Sequence, residues 1–157
     1  MKLFLGALFL LATLPAAIAA PVVAISTAPR PAPAAPLFSW VPAGGYPDPF
    51  PYGQCTWWAA HNRRVTWDGN AGDWIANAQT QGVATNSTPS VGAIAVYRAG
   101  DGYSGYGHVA VVIAVGPSTY TVSEMDFTGW AQVSTRTAPW PDPHLEGFIP
   151  LRKEDLQ

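Results

Sequence analysis

The sequence predicts an α+β domain in which N-terminal helices pack on an antiparallel β-sheet. Segments with helical character come first along the folded part of the chain, and segments with strand character follow. Glycine-rich turns at 99–107 and 116–118 connect strand segments, as in an antiparallel sheet. The 157 residues include seven tryptophans, six tyrosines and six phenylalanines, which supply the apolar surface for one small core.

Two segments are predicted to be helical. Residues 55–64 contain neither glycine nor proline and follow a short turn at 52–54. Residues 73–81 end at Gly82, and their apolar side chains fall on one side: Trp74, Ile75 and Ala78.

Four segments are predicted to be strands. Residues 108–115 form a nearly continuous apolar run, which is typical of a buried strand. Residues 119–127 alternate between apolar and polar side chains, residues 92–98 are rich in strand formers, and residues 147–151 form a short last strand.

The N-terminal segment 1–19 has the features of an export signal. Lys2 gives a positive start, an uncharged apolar run follows, and Ala17 and Ala19 provide an A-x-A cleavage pattern. The apolar run is shorter than the roughly 20 residues that a membrane span needs, so we expect cleavage after Ala19 rather than a retained anchor. The protein is therefore predicted to be secreted, to the periplasm or to the cell wall and exterior, without membrane contact after cleavage.

Composition divides the rest of the chain into three parts. Residues 20–45 are rich in proline and alanine and are predicted to form an extended linker. Residues 46–151 are predicted to form the folded domain, and residues 152–157 a tail. Aromatic side chains ahead of the first helix are expected to pack on the domain, because they are costly to expose to water: Trp40, Tyr46, Phe50 and Tyr52.

The charge of the chain argues against nucleic acid as a partner. The formal net charge is −2, and adjacent basic residues occur only as Arg63-Arg64 and Arg152-Lys153. Phosphate backbones require larger clusters of basic side chains. Both pairs are expected to be solvated, one at a helix end and one in the tail. Separately, the domain is expected to be a monomer.

Cys55 is the only cysteine, so it has no partner for a disulfide within the chain. Three roles are open to it: an apolar core residue, a cross-link to another chain, or a reactive thiol. Its place at the start of a predicted helix favours the third role, because free backbone N–H groups and the helix dipole stabilise an anion there. A thiolate is the form that attacks a carbonyl carbon.

A reactive thiol also needs a base, and the chain has three histidines. His61 follows Cys55 in the same predicted helix, nearly two turns along and rotated away from it. His144 lies among prolines and an aspartate, a poor setting for a fixed base. His108 opens the most apolar strand directly after Gly107, a position that fits the rim of a cleft with a rigid scaffold behind it, although a histidine at a strand end is more often a surface or capped residue than a catalyst.

A catalytic imidazole needs an orienting group. Glu124 and Asp126 are two positions apart on a predicted strand, so both are expected to project from one face of it. If this strand pairs with 108–115, a carboxylate reaches His108. The same pattern is also typical of the polar face of a half-exposed strand, and two like charges this close raise the pKa of one of them.

Five motifs occur in order along the chain: YGQCTWW at 52–58, GNAGDW at 69–74, PSVGAIAV at 89–96, GHVAVV at 107–112 and VSEMDF at 122–127. Together they resemble the CHAP domain, the family of cysteine, histidine-dependent amidohydrolases and peptidases within the papain-like NlpC/P60 group. The resemblance covers about residues 46–151 and implies a papain-like fold. It also implies hydrolysis of amide bonds in peptidoglycan, either between muramic acid and the stem peptide or within the peptide and cross-bridge.

The resemblance also implies roles for individual residues. Cys55 matches the nucleophile, His108 the general base and Glu124 the acidic orienting residue. Gln54 precedes the nucleophile as in the family and is expected to donate to the oxyanion together with the backbone N–H of Cys55. Aromatic side chains near the motifs are candidates to line the substrate groove: Trp57, Tyr103, Tyr106 and Trp130, with Trp58 and Trp140 as further candidates.

Asp126 departs from the family, which usually has asparagine at this position. An ionised aspartate cannot donate a hydrogen bond. It therefore duplicates the orienting role, shares a proton with Glu124, or marks weakened activity, and the sequence does not choose among these. A non-catalytic protein that binds or assembles the cell wall on the same fold is the alternative function.

No cofactor or metal is predicted. CHAP enzymes that bind calcium carry a run of acidic residues before the cysteine, whereas only Asp48 stands in that region here. No pair of histidines has the spacing of a zinc site.

Overall fold

The computed structural model describes residues 44–156, so the predicted signal segment 1–19 and nearly all of the predicted linker lie outside the described residues. Two α-helices, α1 (Cys55–Asn62) and α2 (Trp74–Thr80), precede the strands along the chain. A 3-10 turn at Ala71–Asp73 leads into α2. The predicted α+β order, with helices before strands, is confirmed.

Five strands form one antiparallel sheet. They are β1 (Ile94–Tyr97), β2 (His108–Val115), β3 (Thr119–Met125), β4 (Val133–Pro139) and β5 (Leu145–Ile149). Their order across the sheet is β4-β3-β2-β1-β5, so β2 lies at the centre, as its continuous apolar run requires. The predicted strands match β1, β2, β3 and β5 to within two residues at each end.

The sequence does not predict β4. Its side chains alternate between exposed and half-buried positions, and only Ala138 is buried. A polar edge strand of this kind has no apolar period by which to recognise it. It becomes a strand by pairing with β3 along its whole length, from Thr119 opposite Pro139 to Met125 opposite Val133.

The sheet separates two apolar clusters. On the face toward the helices, Ile94, Val96, Val109 and Val111 pack with residues of α1 and α2: Ala59, Ala60, Trp74 and Ala78. Full burial of a large side chain of this kind contributes about 1.5–3 kcal/mol. The opposite face carries Tyr97, Ala110, Val112, Tyr120 and Val122. Because strand side chains alternate, His108 and Glu124 belong to this second face.

Arg63, which was expected to be solvated, is buried at the end of α1. Its side chain is 1% exposed, and its Nη2 donates to Asp155 Oδ2 at 2.7 Å and to the Pro150 carbonyl at 3.2 Å. Arg152 also donates to Asp155, at 2.8 Å. The expectation of solvated basic pairs is therefore wrong for Arg63, because the 3-10 turn Lys153–Leu156 brings a buried carboxylate to the helix end.

Ahead of α1, two aromatic residues pack on the domain as expected. The Phe50 ring centroid lies 5.2 Å from that of Trp74, and the Tyr46 hydroxyl donates to a backbone carbonyl of the C-terminal 3-10 turn. Tyr52 differs, because 62% of its surface is exposed. Trp40 lies outside the described residues. Within residues 44–156, none of the helices has the length and apolar character of a membrane span.

Candidate active site

Cys55 is the first residue of α1, as predicted, and the turn before it depends on glycine. Gly53 has a φ of +99°, and a Cβ at this position would lie 2.5 Å from the Trp130 ring. No other residue fits there without displacing the ring. The Gly53 carbonyl accepts a hydrogen bond from the Ala131 N–H at 3.1 Å, so the loop after β3 holds the turn from which α1 starts.

His108 is the first residue of β2 and directly follows Gly107. Gly107 has a φ of +76°, and a Cβ there would lie 2.6 Å from the Gly72 nitrogen and 2.7 Å from the Tyr97 oxygen. Only glycine permits this approach, which packs the turn before α2 against the start of β2. These contacts hold the backbone from which His108 faces Cys55.

His108 and Glu124 form a buried hydrogen-bonded pair. The ring Nε2 lies 3.0 Å from Oε2 of Glu124, and the two side chains are 7% and 0% exposed. The expectation that a carboxylate on a paired antiparallel strand reaches His108 is confirmed. Because the carboxylate engages Nε2, the ring nitrogen left to face Cys55 is Nδ1.

The surroundings shift the pKa values of this pair. Burial lowers the pKa of His108, but Cys55 and Glu124 raise it through hydrogen bonding and charge, and the result is a pKa of about 9. Burial raises the pKa of Glu124, but hydrogen bonds from His108 and Arg136 and the Arg136 charge hold it below its usual range. At neutral pH the ring is therefore an imidazolium and the carboxyl group is ionised.

Arg136, on β4, is a site residue that the sequence analysis missed. Its Nε and Nη2 donate to the two oxygens of Glu124 at 3.0 and 3.1 Å. Its guanidinium carbon lies 5.1, 5.8 and 4.5 Å from the centroids of three rings: Tyr97, Tyr103 and Phe127. Arg136 pairs with Val122 in the sheet and so lies diagonally across from Glu124. In the sequence, Arg136 is an arginine in a segment of alternating polar residues. This pattern places it beside Glu124 only once β4 is known to be a strand.

Two cavities meet at Cys55. The larger, of about 720 Å³, has Phe50, Gln54, Asp68, Asn70 and Tyr106 in its lining. The smaller, of about 220 Å³, has Tyr103, His108 and Phe127 in its lining. Both are also lined by Cys55, Ser104, Gly107 and Asp126. A bond held at the half-buried Cys55 sulfur therefore has space on both sides.

Just over half of the chain matches a known family. The profile of the CHAP domain matches residues 45–126. The chain belongs to the CHAP domain family. The resemblance carried by the five motifs is confirmed, and the site described above lies in the segment that defines the family or directly beside it.

Two staphylococcal proteins are similar in sequence to part of this chain. The chain is 41% identical over 96 residues to the Staphylococcus aureus protein named probable autolysin LDP, covering 56% of this chain and 33% of that protein. It is 41% identical over 90 residues to the staphylococcal secretory antigen SsaA of Staphylococcus aureus, covering 53% of this chain and 32% of that protein. The chain therefore spans about a third of the length of the curated relatives it matches.

A solved structure also resembles the CHAP domain described here. It is the crystal structure of an N-acetylmuramoyl-L-alanine amidase from Staphylococcus aureus, with a TM-score of 0.64 and 28% sequence identity. The match covers 74% of this chain and 35% of that chain. Helices packed on an antiparallel sheet, with the cysteine at a helix start, form the papain-like arrangement that the resemblance implied.

Asp126 lies at the rim of both cavities of the CHAP domain, but outside β3. The strand ends at Met125, and Asp126 is exposed with a φ of 63°. Aspartate and asparagine adopt this left-handed conformation more readily than other non-glycine residues, which explains why either one stands here. The expectation that Glu124 and Asp126 project from one strand face is wrong, because the strand ends at Met125 and the chain bends at Asp126. Nor does a like charge raise the pKa of Glu124, which is lowered by its two cationic partners.

The aromatic residues predicted to line the groove fall into two groups. Tyr106 lines the larger cavity, and Tyr103 lines the smaller one, where its ring stacks on His108 with centroids 5.6 Å apart. Trp57 and Trp130 line neither cavity. Trp57 packs between two other rings at the surface, and Trp130 covers the turn before α1.

Gln54 is the N-cap residue of α1 and lines the larger cavity. Its side-chain oxygen accepts a hydrogen bond from Thr56 at 3.5 Å, so the amide nitrogen is the group that can donate into the cavity. In the part of the chain that the structure describes, no three His, Cys, Asp or Glu side chains are arranged to hold a metal ion.

Proposed function

We propose that this CHAP domain is a secreted peptidoglycan hydrolase that cleaves amide bonds, with Cys55 as nucleophile and His108 and Glu124 as its partners. One observation carries the proposal: the Cys55 thiol, at a helix start, and the His108 ring line the same cavity, and the buried Glu124 carboxylate follows at 3.0 Å from that ring. A thiol nucleophile, its proton-transfer partner and an orienting group require this order.

In the first step, the Cys55 thiolate attacks the carbonyl carbon of the amide and a C–S bond forms. The backbone N–H of Cys55 and the Gln54 amide donate to the resulting oxyanion, and one such donor contributes about 3–4 kcal/mol in known sites. The His108 imidazolium gives its Nδ1 proton to the leaving amine as the C–N bond breaks. The products of this step are a free amine and a thioester on Cys55.

In the second step, neutral His108 takes a proton from water while the water oxygen attacks the thioester carbonyl. The C–S bond breaks, a carboxylic acid leaves, and Cys55 and His108 return to thiolate and imidazolium. A His108 pKa of about 9 suits this cycle, because the ring holds its proton at neutral pH until the leaving amine needs it.

Peptidoglycan as the substrate is supported by the relatives and by the cavities. One relative is named an autolysin and another is an N-acetylmuramoyl-L-alanine amidase. The cavities of about 720 and 220 Å³ that share Cys55 offer separate space for the acyl and the amine side of a branched substrate. Both an amidase and an endopeptidase fit this arrangement.

The chain organisation belongs to the same proposal. Residues 1–19 are removed on export, residues 20–45 serve as a linker, and residues 46–151 act as the catalytic unit of a monomer. The secretory antigen among the relatives supports export. N-terminal sequencing of protein recovered outside the cell tests the cleavage, with Ala20 as the expected first residue.

Purified walls test the reaction. Wild-type protein is expected to lower the turbidity of a wall suspension, while Cys55→Ala and Cys55→Ser, with unchanged thermal unfolding, are expected to have no effect. Clearing that survives Cys55→Ala overturns the thiol mechanism. Binding of the wild type to walls without clearing favours the wall-binding alternative.

Mass spectrometry of the released fragments then assigns the bond. An amidase leaves stem peptides with a free N-terminal amine and muramic acid with a free carboxyl group. An endopeptidase leaves new amines within the stem or on bridge residues, while the stem stays attached to muramic acid.

A further inference from the structure

We propose that Arg136 is a positioning residue that holds Glu124, and through it His108, in the geometry that the reaction at Cys55 requires. The inference rests on the proposed function and extends it to β4, an element outside the five sequence motifs. It assigns a role to a cation that touches neither cavity at Cys55.

His108, Glu124 and Arg136 lie on three neighbouring strands, β2, β3 and β4. Two parallel hydrogen bonds, of 3.0 and 3.1 Å, join the guanidinium to both oxygens of Glu124. A bidentate pair fixes the plane of a carboxylate, whereas a single bond leaves it free to rotate. The Oε2 atom is thereby held where it accepts from His108 Nε2.

The charge that faces Glu124 changes during the cycle. Glu124 has no exposed surface, and a buried carboxylate is costly unless a cation faces it. His108 faces it as a cation only while protonated, and the ring gives its proton to the leaving amine midway through the reaction. Arg136 keeps its charge throughout, so it holds Glu124 ionised when the ring is neutral.

Three aromatic rings lie around the guanidinium, those of Tyr97, Tyr103 and Phe127. A cation over aromatic faces at such distances is favoured by about 0.5–2 kcal/mol. Tyr103 also stacks on His108, so one set of rings holds both the arginine and the imidazole. The titratable groups that face His108 are Cys55 from α1, Tyr97 from β1, Glu124 from β3 and Tyr103 from the loop before β2.

The experiment compares Arg136→Ala and Arg136→Lys with Arg64→Ala, a control at an exposed arginine after α1. With soluble muramoyl peptides as substrate, Arg136→Ala is expected to lower kcat about 100-fold, since misplacing a catalytic group by about 1 Å costs that much. KM is expected to stay within about twofold, because Arg136 lines neither of the two cavities at Cys55. Arg136→Lys keeps the charge but loses the two parallel hydrogen bonds to Glu124. Its kcat is therefore expected to lie between those of the wild type and Arg136→Ala.

Two further readouts separate positioning from a general loss of stability. Millimolar guanidinium chloride is expected to restore part of the kcat of Arg136→Ala and to leave Arg64→Ala unchanged. The acid limb of the pH profile of Arg136→Ala is expected to move to higher pH, because losing the cation raises the pKa of Glu124. Wild-type kcat and an unmoved acid limb in folded Arg136→Ala overturn the proposal.

Alkylation of Cys55 by iodoacetamide, followed by mass spectrometry, needs no peptidoglycan. Alkylation of Arg136→Ala is expected to be slower than that of the wild type and to recover when guanidinium chloride is added. If the wild type leaves walls intact while this alkylation pattern holds, the proposed function fails and the role of Arg136 stands. If Arg136→Ala does not fold, Arg136→Lys decides: alkylation and kcat equal to those of the wild type overturn the proposal.

Discussion

Nε2 of His108 and Oε2 of Glu124 lie 3.0 Å apart at a place where Glu124 has no exposed surface. This bond decides which ring nitrogen faces Cys55, because it engages Nε2 and leaves Nδ1 for the thiol. The carboxylate also contributes to the raised pKa of the ring. The orientation of the ring and its charge therefore depend on one contact between neighbouring strands.

Replacing Glu124 by glutamine tests this contact. Glu124→Gln is expected to lower kcat at least about 10-fold, because the amide no longer selects one ring tautomer. The base limb of the pH profile is expected to move to lower pH, since the pKa of His108 loses a cause that raises it. Glu146→Gln, an exposed position on β5, is the control. Equal profiles for the two variants would contradict the role of Glu124.

The raised pKa of His108 predicts a pH dependence of the wild type. Activity that requires the imidazolium is expected to fall as pH rises through about 9. The free energy of unfolding should follow the same sign: a group raised from 6.5 to about 9 contributes stability that is complete below pH 6.5 and is lost as pH rises through 9. Urea unfolding at pH 6, 8 and 10 measures it, and His108→Gln should lack this component.

The buried pair of Arg63 and Asp155 predicts a role for the C-terminal 3-10 turn in stability. Asp155→Ala is expected to lower the free energy of unfolding by about 3–5 kcal/mol, because it leaves the Arg63 charge buried without the carboxylate that pairs with it. The neighbouring Glu154→Ala removes a half-exposed carboxylate and is expected to cost less than about 1 kcal/mol. Chemical denaturation of both variants measures the difference, and similar losses would show that the buried pair is unimportant.

The lowered pKa of Asp155 also predicts the direction in which acid changes the stability of the fold. Burial raises its pKa, but hydrogen bonds and charge from Arg152 and Arg63 hold it below 3.8. Its contribution is therefore present above pH 3.8 and is lost as pH falls through its lowered pKa. Acid unfolding of the wild type is expected to lie at lower pH than that of Asp155→Asn. Coincident acid transitions would argue against this assignment.

The close contacts at Gly107 predict that a side chain at this position, directly before His108, destabilises the fold. Gly107→Ala adds a Cβ at 2.6 Å from Gly72 in a left-handed conformation, so a loss of at least about 2 kcal/mol in unfolding free energy is expected. Activity should fall with it, because His108 is the next residue. Gly105→Ala is the matched control in the same loop, since a Cβ there meets nothing within 4 Å. Its unfolding free energy is expected to stay within about 0.5 kcal/mol of the wild type.

Substitutions of Asp126 test whether the left-handed backbone conformation explains why aspartate stands in place of the usual asparagine. Asp126→Asn keeps a residue suited to a φ of 63° and is expected to leave unfolding free energy nearly unchanged. Asp126→Val is expected to cost about 1–2 kcal/mol, because a β-branched side chain opposes this conformation. Thermal unfolding compares the two, and an equally stable valine variant would refute the backbone explanation.

By itself, the sequence determined the α+β class and the bounds of β2, through local signals such as an apolar run. The grouping of Cys55, His108 and Glu124 was implied by the resemblance of five ordered motifs to the CHAP domain. Only the tertiary structure decided that Arg136 binds Glu124, that Arg63 is buried against Asp155, and that Asp126 leaves its strand. Each of these depends on contacts between residues far apart in the chain or on one backbone torsion. The sequences of a polar edge strand and of a charged helix end have no apolar periodicity from which their partners can be predicted. Only the fold brings those partners within hydrogen-bond distance.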